Sequence, residues 1–401
     1  MKILFLCPHF PYPPDHGARI RAYHFIRHLS RMHTVTLVTL AHTKKELSRG
    51  VGLANYCDDI IVEVLPTHVR WWQAFGAFGS RTPSSVAYFR STMLKRRIEE
   101  KLRTQKFDAV IVFCAFMAQY ALDVDARLRF LDYGDLDSGK WAEYARYKPF
   151  PLSYGYGIEA RKLRRYERSI AERFDRCSVI SKGELEEFNR FNSTTPCTII
   201  PNGVDVNYFR ANAENTQRSP VIVFLGRMNY FPNIDGVIYF AQEIFPKIRK
   251  KKAEAELRII GSNPPRSVRR LAKIPNISVT GEVSDVRPYL TDATVSVVPL
   301  RIARGTQNKI LESMAMGIPV VTTPEAAKGV QCVPSEHLLV ADGPADFAEK
   351  VVDLIENGSL QKKLSQAARC QILQSHSWER SMKALTKMLN LGRSAPQQGS
   401  A

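Results

Sequence analysis

Short, almost wholly apolar runs alternate with stretches of helical periodicity along most of this chain, and they do so in two separate series. In the first, Ile3–Leu6, Thr34–Leu40, Ile60–Val64, Ala109–Cys114 and Arg129–Leu131 read as strands, and Ala22, Phe25, Ile26 and Leu29 recur at helical spacing between the first two. In the second, which begins near Pro220, Val221–Leu225, Leu257–Ile260, Ile277–Val279, Thr294–Val298 and Ile318–Thr322 are strand-like. Helical segments at 234–249, 265–273, 284–291, 307–316 and 344–357 separate or follow them. A strand that is apolar at successive positions is covered on both faces, and parallel strands need a crossover helix between them. The pattern therefore constrains the chain to α/β architecture with parallel sheets, each closed by helices on both sides.

At 401 residues the chain exceeds one ordinary core and suits two. The polar stretch from Ala211 to Pro220 reads as a linker. We therefore expect two Rossmann-like, doubly wound lobes: residues 1–210, residues 211–392, and a disordered tail at 393–401. In such sheets ligands bind outside the carboxyl ends of the strands, so function is expected on the loops that follow them, in a cleft where the two lobes face each other.

Composition narrows the classes further. Hydrophobic residues make up 44% and charged residues 24%, as in globular enzymes. No apolar run approaches the ~20 residues that span a bilayer, and Met1–Leu6 is too short for a signal-peptide core; the expected location is the cytoplasm. Seven scattered cysteines form no C-x-x-C pair, which favours buried, reduced thiols over zinc sites or disulfides. The formal net charge is +18. Residues 1–205 hold 31 basic and 22 acidic side chains and the rest hold 26 and 17, so both lobes carry the same excess. Such a charge favours polyanions, whether nucleic acid, anionic lipid or phosphorylated substrates, and does not choose among them.

Three loops carry the chemistry. After the first strand comes a proline-stiffened loop, Pro8 to Asp15, then Gly17, Ala18 and Arg19 at a helix start, where free N–H groups suit a phosphate. An ordinary strand-to-helix turn is the alternative, and no G-x-G-x-x-G occurs here. Strand Val221–Leu225 runs into Gly226 and Arg227, and a guanidinium at a strand end grips phosphate oxygens bidentately. The third loop is Arg304, Gly305, Thr306, Gln307, Asn308 and Lys309, leading into a helix closed by Gly317. There Gly305 and Thr306 offer backbone N–H groups to a diphosphate. Asn308 and Glu312, four apart, share a helix face, and Glu312 can accept from two ribose hydroxyls. A pairing of Glu312 with Lys309 on a solvated face is the alternative. Ile310, Leu311, Met314 and Ala315 argue against it, because a carboxylate on a mostly buried helix needs a partner.

These residues resemble the retaining GT-B glycosyltransferases of the family-4 type, with the nearest resemblance to sugar transferases of bacterial exopolysaccharide clusters. The resemblance covers nearly the whole chain. It rests on the proline loop with Gly17-Ala18-Arg19, on Val179 to Glu184, on Ile200-Pro201-Asn202-Gly203-Val204-Asp205, on Gly226-Arg227, and on Lys309-Ile310-Leu311-Glu312 with its continuation to Val321. It implies a nucleotide-diphosphate-sugar donor held by Arg227, with Glu312 as the second glutamate of the family's E-x7-E motif on the ribose. Asn202 and Gln307 join the donor-binding set, Gly17 lies on the loop approaching donor and acceptor, and transfer proceeds with retention. Three positions depart from the pattern. Arg304 stands at the first glutamate, Pro232 at the lysine that often follows the arginine by five, and Phe113-Cys114-Ala115-Phe116-Met117 where a histidine is common.

On the acceptor side Asp135 is the candidate polar contact and, with Arg227, completes the proposed catalytic pair. Asp135-Leu136-Asp137 is also a D-x-D, which in other transferases holds a metal. The donor is placed in the second lobe, away from it, so neither metal nor other cofactor is expected. Trp71, Trp72, Phe75 and Phe78, with the basic run Arg161 to Arg168, suit an anionic membrane surface; the alternative is that the tryptophans are core. The implied acceptor is a glycan, lipid-linked at the inner face of the cell membrane. Two rival classes remain: a basic nucleic-acid binder, for which no module signature is present, and a catalytically inactive GT-B scaffold, which Arg304 keeps open.

Overall fold

The computed structural model of the chain describes residues 1–15, 17–48, 50–210 and 220–391. These form two compact units, Met1–Ile200 together with the segment from Met382 onward, and Pro201–Ser381.

The first unit is built on seven strands, β1 (Lys2–Cys7), β2 (Thr34–Ala41), β3 (Asp59–Val64), β4 (Phe107–Phe113), β5 (Ala126–Gly134), β6 (Arg176–Val179) and β7 (Cys197–Ile199), in the order β3-β2-β1-β4-β5-β6-β7. Every pairing is parallel. The central strand β1 buries Ile3, Leu4, Phe5 and Leu6 completely, because helices cover both faces. The second unit has six strands, β8 (Val221–Leu225), β9 (Glu256–Ile260), β10 (Ile277–Gly281), β11 (Val295–Val298), β12 (Val320–Thr322) and β13 (Leu339–Val340), in the order β10-β9-β8-β11-β12-β13. They too pair only in parallel. In both units the order reverses beside the first strand, which leaves a crevice at the carboxyl ends of neighbouring strands.

The structure departs from the sequence reading where burial is weak or a strand is short. Strand β5 starts three residues earlier than its apolar stretch, because Ala126 and Arg127 lie on its solvent-facing end. The edge strands β7 and β13 are only three and two residues long, and the four-residue β6 beside β7 likewise lies outside the apolar series. The expected helix at 234–249 is interrupted. It runs over Phe231–Tyr239, widens into a π-turn at Phe240–Ile244 and resumes at Phe245–Lys251. Pro246 has no N–H to donate to the preceding turn, and the widened turn absorbs that loss.

The unit boundary also differs, falling at Ile200/Pro201 rather than after residue 210. Pro201 onward packs with the second unit: Val204 donates to the His376 carbonyl (2.8 Å) and bridges Ser377. A Cβ on Gly203 would stand 2.5 Å from the Trp378 nitrogen. The last helix, Trp378–Leu391, begins in the second unit and ends in the first. There Met382, Leu385, Met388 and Leu389 are buried and His28 Nε2 lies 2.7 Å from Thr386 Oγ1. An apolar stripe states that a helix packs, not on which sheet. Residues 211–219 of the expected linker and the tail at 393–401 lie outside the described residues. Among the described residues no helix is long and apolar enough to cross a membrane.

Candidate functional site

In the second unit the carboxyl end of β8 is a crowded junction. Gly226 donates to the Ile260 carbonyl (3.0 Å). On the neighbouring strand, a Cβ at Gly261 would fall 1.7 Å from the Gly226 carbonyl oxygen, so the two strand ends meet backbone to backbone. Arg227 follows with its side chain exposed. The helix Phe231–Tyr239 then turns Asn233 inward to 5% exposure, and its Nδ2 donates to the Arg227 carbonyl at 2.9 Å. That bond fixes the loop from which the guanidinium projects.

The partner of Asn233 comes from far along the chain. Lys309, in the first turn of the helix Asn308–Ala315, is buried and donates its Nζ to Asn233 Oδ1. The ammonium lies 4.9 Å from the Phe224 ring centroid. A Cβ on Gly226 would stand 2.7 Å from Asn233 Nδ2 and 3.1 Å from Lys309 Nζ, so only glycine leaves this space open. Burial pushes the Lys309 ammonium down to about 7 and Glu312, one turn further on, up to about 7. Each opposes the other's shift by its charge.

The loop before this helix is equally constrained. Gly305 has φ +61° and its carbonyl oxygen faces Gly329, where a Cβ would come within 1.8 Å. Gln307 Nε2 donates to the Arg304 carbonyl (2.9 Å), and Gln307 gives the helix no side-chain cap. The helix is held by Ile310, Leu311, Met314 and Ala315 in the core and by Ser313 Oγ on Ser296 Oγ (2.8 Å), and Gly317 ends it at φ +68°. Two side-chain oxygens here, Thr306 Oγ1 and Asn308 Oδ1, are buried and have no hydrogen-bond partner. A buried oxygen left unpaired costs about 1–3 kcal/mol, and a ligand that donates to it recovers that cost.

In the first unit the corresponding strand ends are rich in paired carboxylates, although Glu167 Oε2 is buried without a hydrogen-bond partner. Asp132 on β5 is fully buried and accepts from Arg21 Nε (2.6 Å), Arg21 Nη2 (2.8 Å) and Ser178 Oγ (2.7 Å). Asp135 is half-buried in the turn after β5. Carboxylates from two helices pin this turn: Leu136 N donates to Glu184 Oε2 (2.8 Å) and Ser138 N to Glu167 Oε1 (3.1 Å). Burial pushes Glu167 up to about 8. Asp137 is paired with Lys140 of its own helix and faces the Cys114 thiol. Among the described residues no group of three or more His, Cys, Asp or Glu side chains is arranged to hold a metal ion. Gly17 and Ala18 open the helix Gly17–Leu29, and Arg19 is engaged by Asp15 (3.4 Å) and Glu46 (3.5 Å).

Of the residues expected at the donor site, the structure gathers Gly226, Arg227 and Lys309 around one buried asparagine, and places Arg304 to Asn308 and Glu312 on the same loop and helix. Asn202 is elsewhere in the second unit, its carbonyl 3.4 Å from His376 Nδ1. Gly17, Ala18 and Asp135 belong to the first unit. The residue that sequence reasoning passed over is Asn233. The only signal for it was its position beside Pro232, where the expected lysine is missing.

Residues 219–357 match the family described as "Glycosyl transferases group 1". An uncharacterised 44.6 kDa protein in the cps region of Klebsiella pneumoniae is 20% identical over 378 residues, covering 91% of this chain and 93% of that protein. Among solved structures, sucrose-phosphate synthase from Thermosynechococcus elongatus superposes with a TM-score of 0.71 at 14% identity, covering 98% of each chain. Anabaena HepE, solved with UDP and glucose, gives 0.68 at 13% identity, covering 97% of this chain and 99% of its own. WaaG, a glycosyltransferase of lipopolysaccharide biosynthesis, gives 0.65 at 15% identity, covering 95% of this chain and 98% of its own. The chain has the GT-B fold, two Rossmann-like parallel-sheet units, and its residues 219–357 match the group 1 glycosyl transferase family.

Proposed function

We propose that the second unit binds the nucleoside diphosphate of a sugar donor and that the protein transfers the sugar, with retention, to a glycan acceptor of cell-surface polysaccharide synthesis, lipid-linked at the inner membrane face. The observation that carries this reading is the pair of unpartnered buried oxygens, Thr306 Oγ1 and Asn308 Oδ1, on the loop that leads to a buried ammonium. Oxygens in need of donors suit hydroxyls, and Lys309 and Arg227 suit phosphate. A nucleotide-sugar carries both. The cps-region relative and the UDP complexes of HepE are consistent with the same substrate class.

In the reaction the bond from the anomeric carbon to the diphosphate breaks and a bond from that carbon to the acceptor oxygen forms. The acceptor approaches on the face the diphosphate leaves, and its proton passes to a phosphate oxygen. The charge that builds on the departing diphosphate is met by the Arg227 guanidinium, the Lys309 ammonium and the uncapped amides of the helix Asn308–Ala315. Asn233 holds the two cations in register, one through its Oδ1 and the other through the Arg227 carbonyl. With these groups in place, metal is not needed to neutralise the leaving group. Lys309, at the end of the loop from Arg304, thus supplies the ammonium whose usual place after Arg227 is taken by Pro232.

The test is a thermal-shift panel of nucleoside diphosphates followed by transfer from a radiolabelled nucleotide-sugar, with the product anomer read by NMR. A ligand at a hundred times its Kd raises stability by about 2.7 kcal/mol. Binding without any transfer or hydrolysis would mark an inactive scaffold, and no shift with any diphosphate would refute the donor site.

A further inference from the structure

The first unit exposes an aromatic face that its own core does not explain. The helix Thr67–Gly76 is anchored on one side by Arg70, which is fully buried. Its Nε donates to the Leu65 carbonyl (2.8 Å) and its Nη2 to the Ala41 carbonyl (3.0 Å). The guanidinium also lies 5.5 Å from the Tyr88 and Phe89 ring centroids. With Arg70 and Ala74 inward, the helix turns Trp71, Trp72 and Phe75 outward at 65, 74 and 75% exposure, and Phe78 follows at 48%.

The long helix Leu152–Ala171 adjoins this face. Lys162 Nζ donates to the carbonyls of Ala77 (3.1 Å) and Phe78 (2.5 Å) and sits 5.7 Å from the Phe78 ring centroid. A Cβ on Gly155 would touch Phe78 at 3.9 Å. The amino end of the same helix exposes Phe150, Leu152 and Tyr154. An apolar area of this size on a folded chain marks an interaction surface.

Its charge selects the partner. Residues 64–98 contain no Asp or Glu. From 146 to 168 the only acids are Glu159 and Glu167, both buried, and Glu159 is used by the amides of Ser84 and Ser85 (2.9 and 2.8 Å). Arg81, Arg146, Arg161, Arg165 and Arg168, in the same two acid-poor stretches, are exposed, and Lys162 contacts the Phe78 ring. A second copy of the chain would bring like charge against like. Exposed tryptophan and phenylalanine on segments that carry exposed basic residues and no exposed acid fit the headgroup boundary of an anionic bilayer, where rings insert and cations meet phosphate.

We propose that the face formed by the helix Thr67–Gly76 and the amino-terminal half of the helix Leu152–Ala171 docks on an anionic lipid bilayer. The proposal goes beyond the donor site and does not depend on it. The test is co-sedimentation of the full chain with vesicles of phosphatidylcholine alone and with one quarter phosphatidylglycerol. Binding is expected only to the second, with a blue shift of tryptophan fluorescence. It should weaken about tenfold or more in 0.5 M salt, because salt screens the arginines and not the inserted rings. The double variant Trp71→Ala/Trp72→Ala should lose the salt-resistant part and Arg161→Glu/Arg165→Glu the salt-sensitive part. Both should keep the wild-type melting temperature and nucleoside-diphosphate binding. Equal binding to both vesicles, or wild-type binding by the tryptophan variant, overturns the proposal. So does a concentration-dependent dimer, seen by light scattering, that the tryptophan variant abolishes.

Discussion

The two sheets present opposite chemistry at the same place. Where β5 ends, Asp132 is surrounded by Arg21 and Ser178, and Glu167 and Glu184 are spent on the backbone of the next turn. Where β8 ends, a lone ammonium and an exposed guanidinium share one asparagine, and two oxygens have no partner. Net charge does not distinguish the halves of the chain, since each carries the same excess of basic residues. What differs is the charge each place presents: carboxylates, with the buried Asp132 paired to Arg21, after β5, and cations, one of them exposed, after β8, while both places hold a buried oxygen without a hydrogen-bond partner. A buried ion pair closed within the protein holds the fold together, whereas cations without a carboxylate hydrogen-bonded to them can meet an anionic ligand.

That contrast breaks if substitutions in the two places have the same consequences. Asp132→Ala leaves the Arg21 guanidinium buried without its carboxylate and should cost about 3–5 kcal/mol of stability, read as a lower urea midpoint at unchanged slope. A midpoint within error of wild type would show that the first sheet's polar cluster does not hold the fold. In the second unit the loss should fall on activity. Arg227→Ala should lower the transfer rate about 100- to 1000-fold, with melting unchanged because the side chain is exposed. A rate within a few-fold of wild type would remove Arg227 from the site.

Lys309→Met sharpens the comparison further. Removing a charge-assisted contact worth about 1.5–3 kcal/mol should weaken nucleoside-diphosphate binding about 10- to 100-fold, measured by calorimetry. The pH dependence follows from the same residue. Its folded value, about 7, lies below its ordinary 10.5, so across that window the unfolded chain binds more protons and stability of the ligand-free protein falls as pH drops from 10.5 toward 7. Glu312, raised from 4.5 to about 7, contributes stability below 4.5 that is lost as pH rises through 7. The contribution of this pair to the stability of the ligand-free protein should therefore be smallest near neutrality, a dip that the double variant Lys309→Met/Glu312→Gln should remove from the pH profile. A diphosphate should take up a proton on binding above pH 7, seen as a buffer-dependent enthalpy that Lys309→Met abolishes. The smallest effect is expected from EDTA, which should change the transfer rate by less than about twofold, because fixed cations and helix amides already meet the leaving charge. Loss of activity restored by manganese would move the chemistry to Asp135 and Asp137.

Most of the architecture was legible as alternation. Continuous apolar runs such as Val221–Leu225 are buried at every position, which is the condition that makes them visible. The strands that escaped, β6, β7 and β13, are only four, three and two residues long, too short to show an alternation or a sustained apolar run. The tryptophans were ambiguous for a related reason: an aromatic pair reads alike in a core and on a surface. It is the burial of Arg70, a residue whose charge argued for solvent, that turns them outward.

At the proposed donor site the sequence by itself determined the loops. A glycine-arginine after a strand and a glycine-led helix with Glu312 at its second turn are local facts, set by backbone geometry within a dozen residues. Only the tertiary structure decided which of these side chains meet. Asn233 and Lys309 are 76 residues apart and their bond is made because β8 and β11 pair side by side, which brings the segments that follow them to the same end of the sheet. The same packing carries an ammonium into a loop that has Pro232 in the lysine's place. Spacing along one element predicts neighbours on that element; a contact between two elements depends on the order in which strands pair, and that order is fixed by burial across the whole sheet.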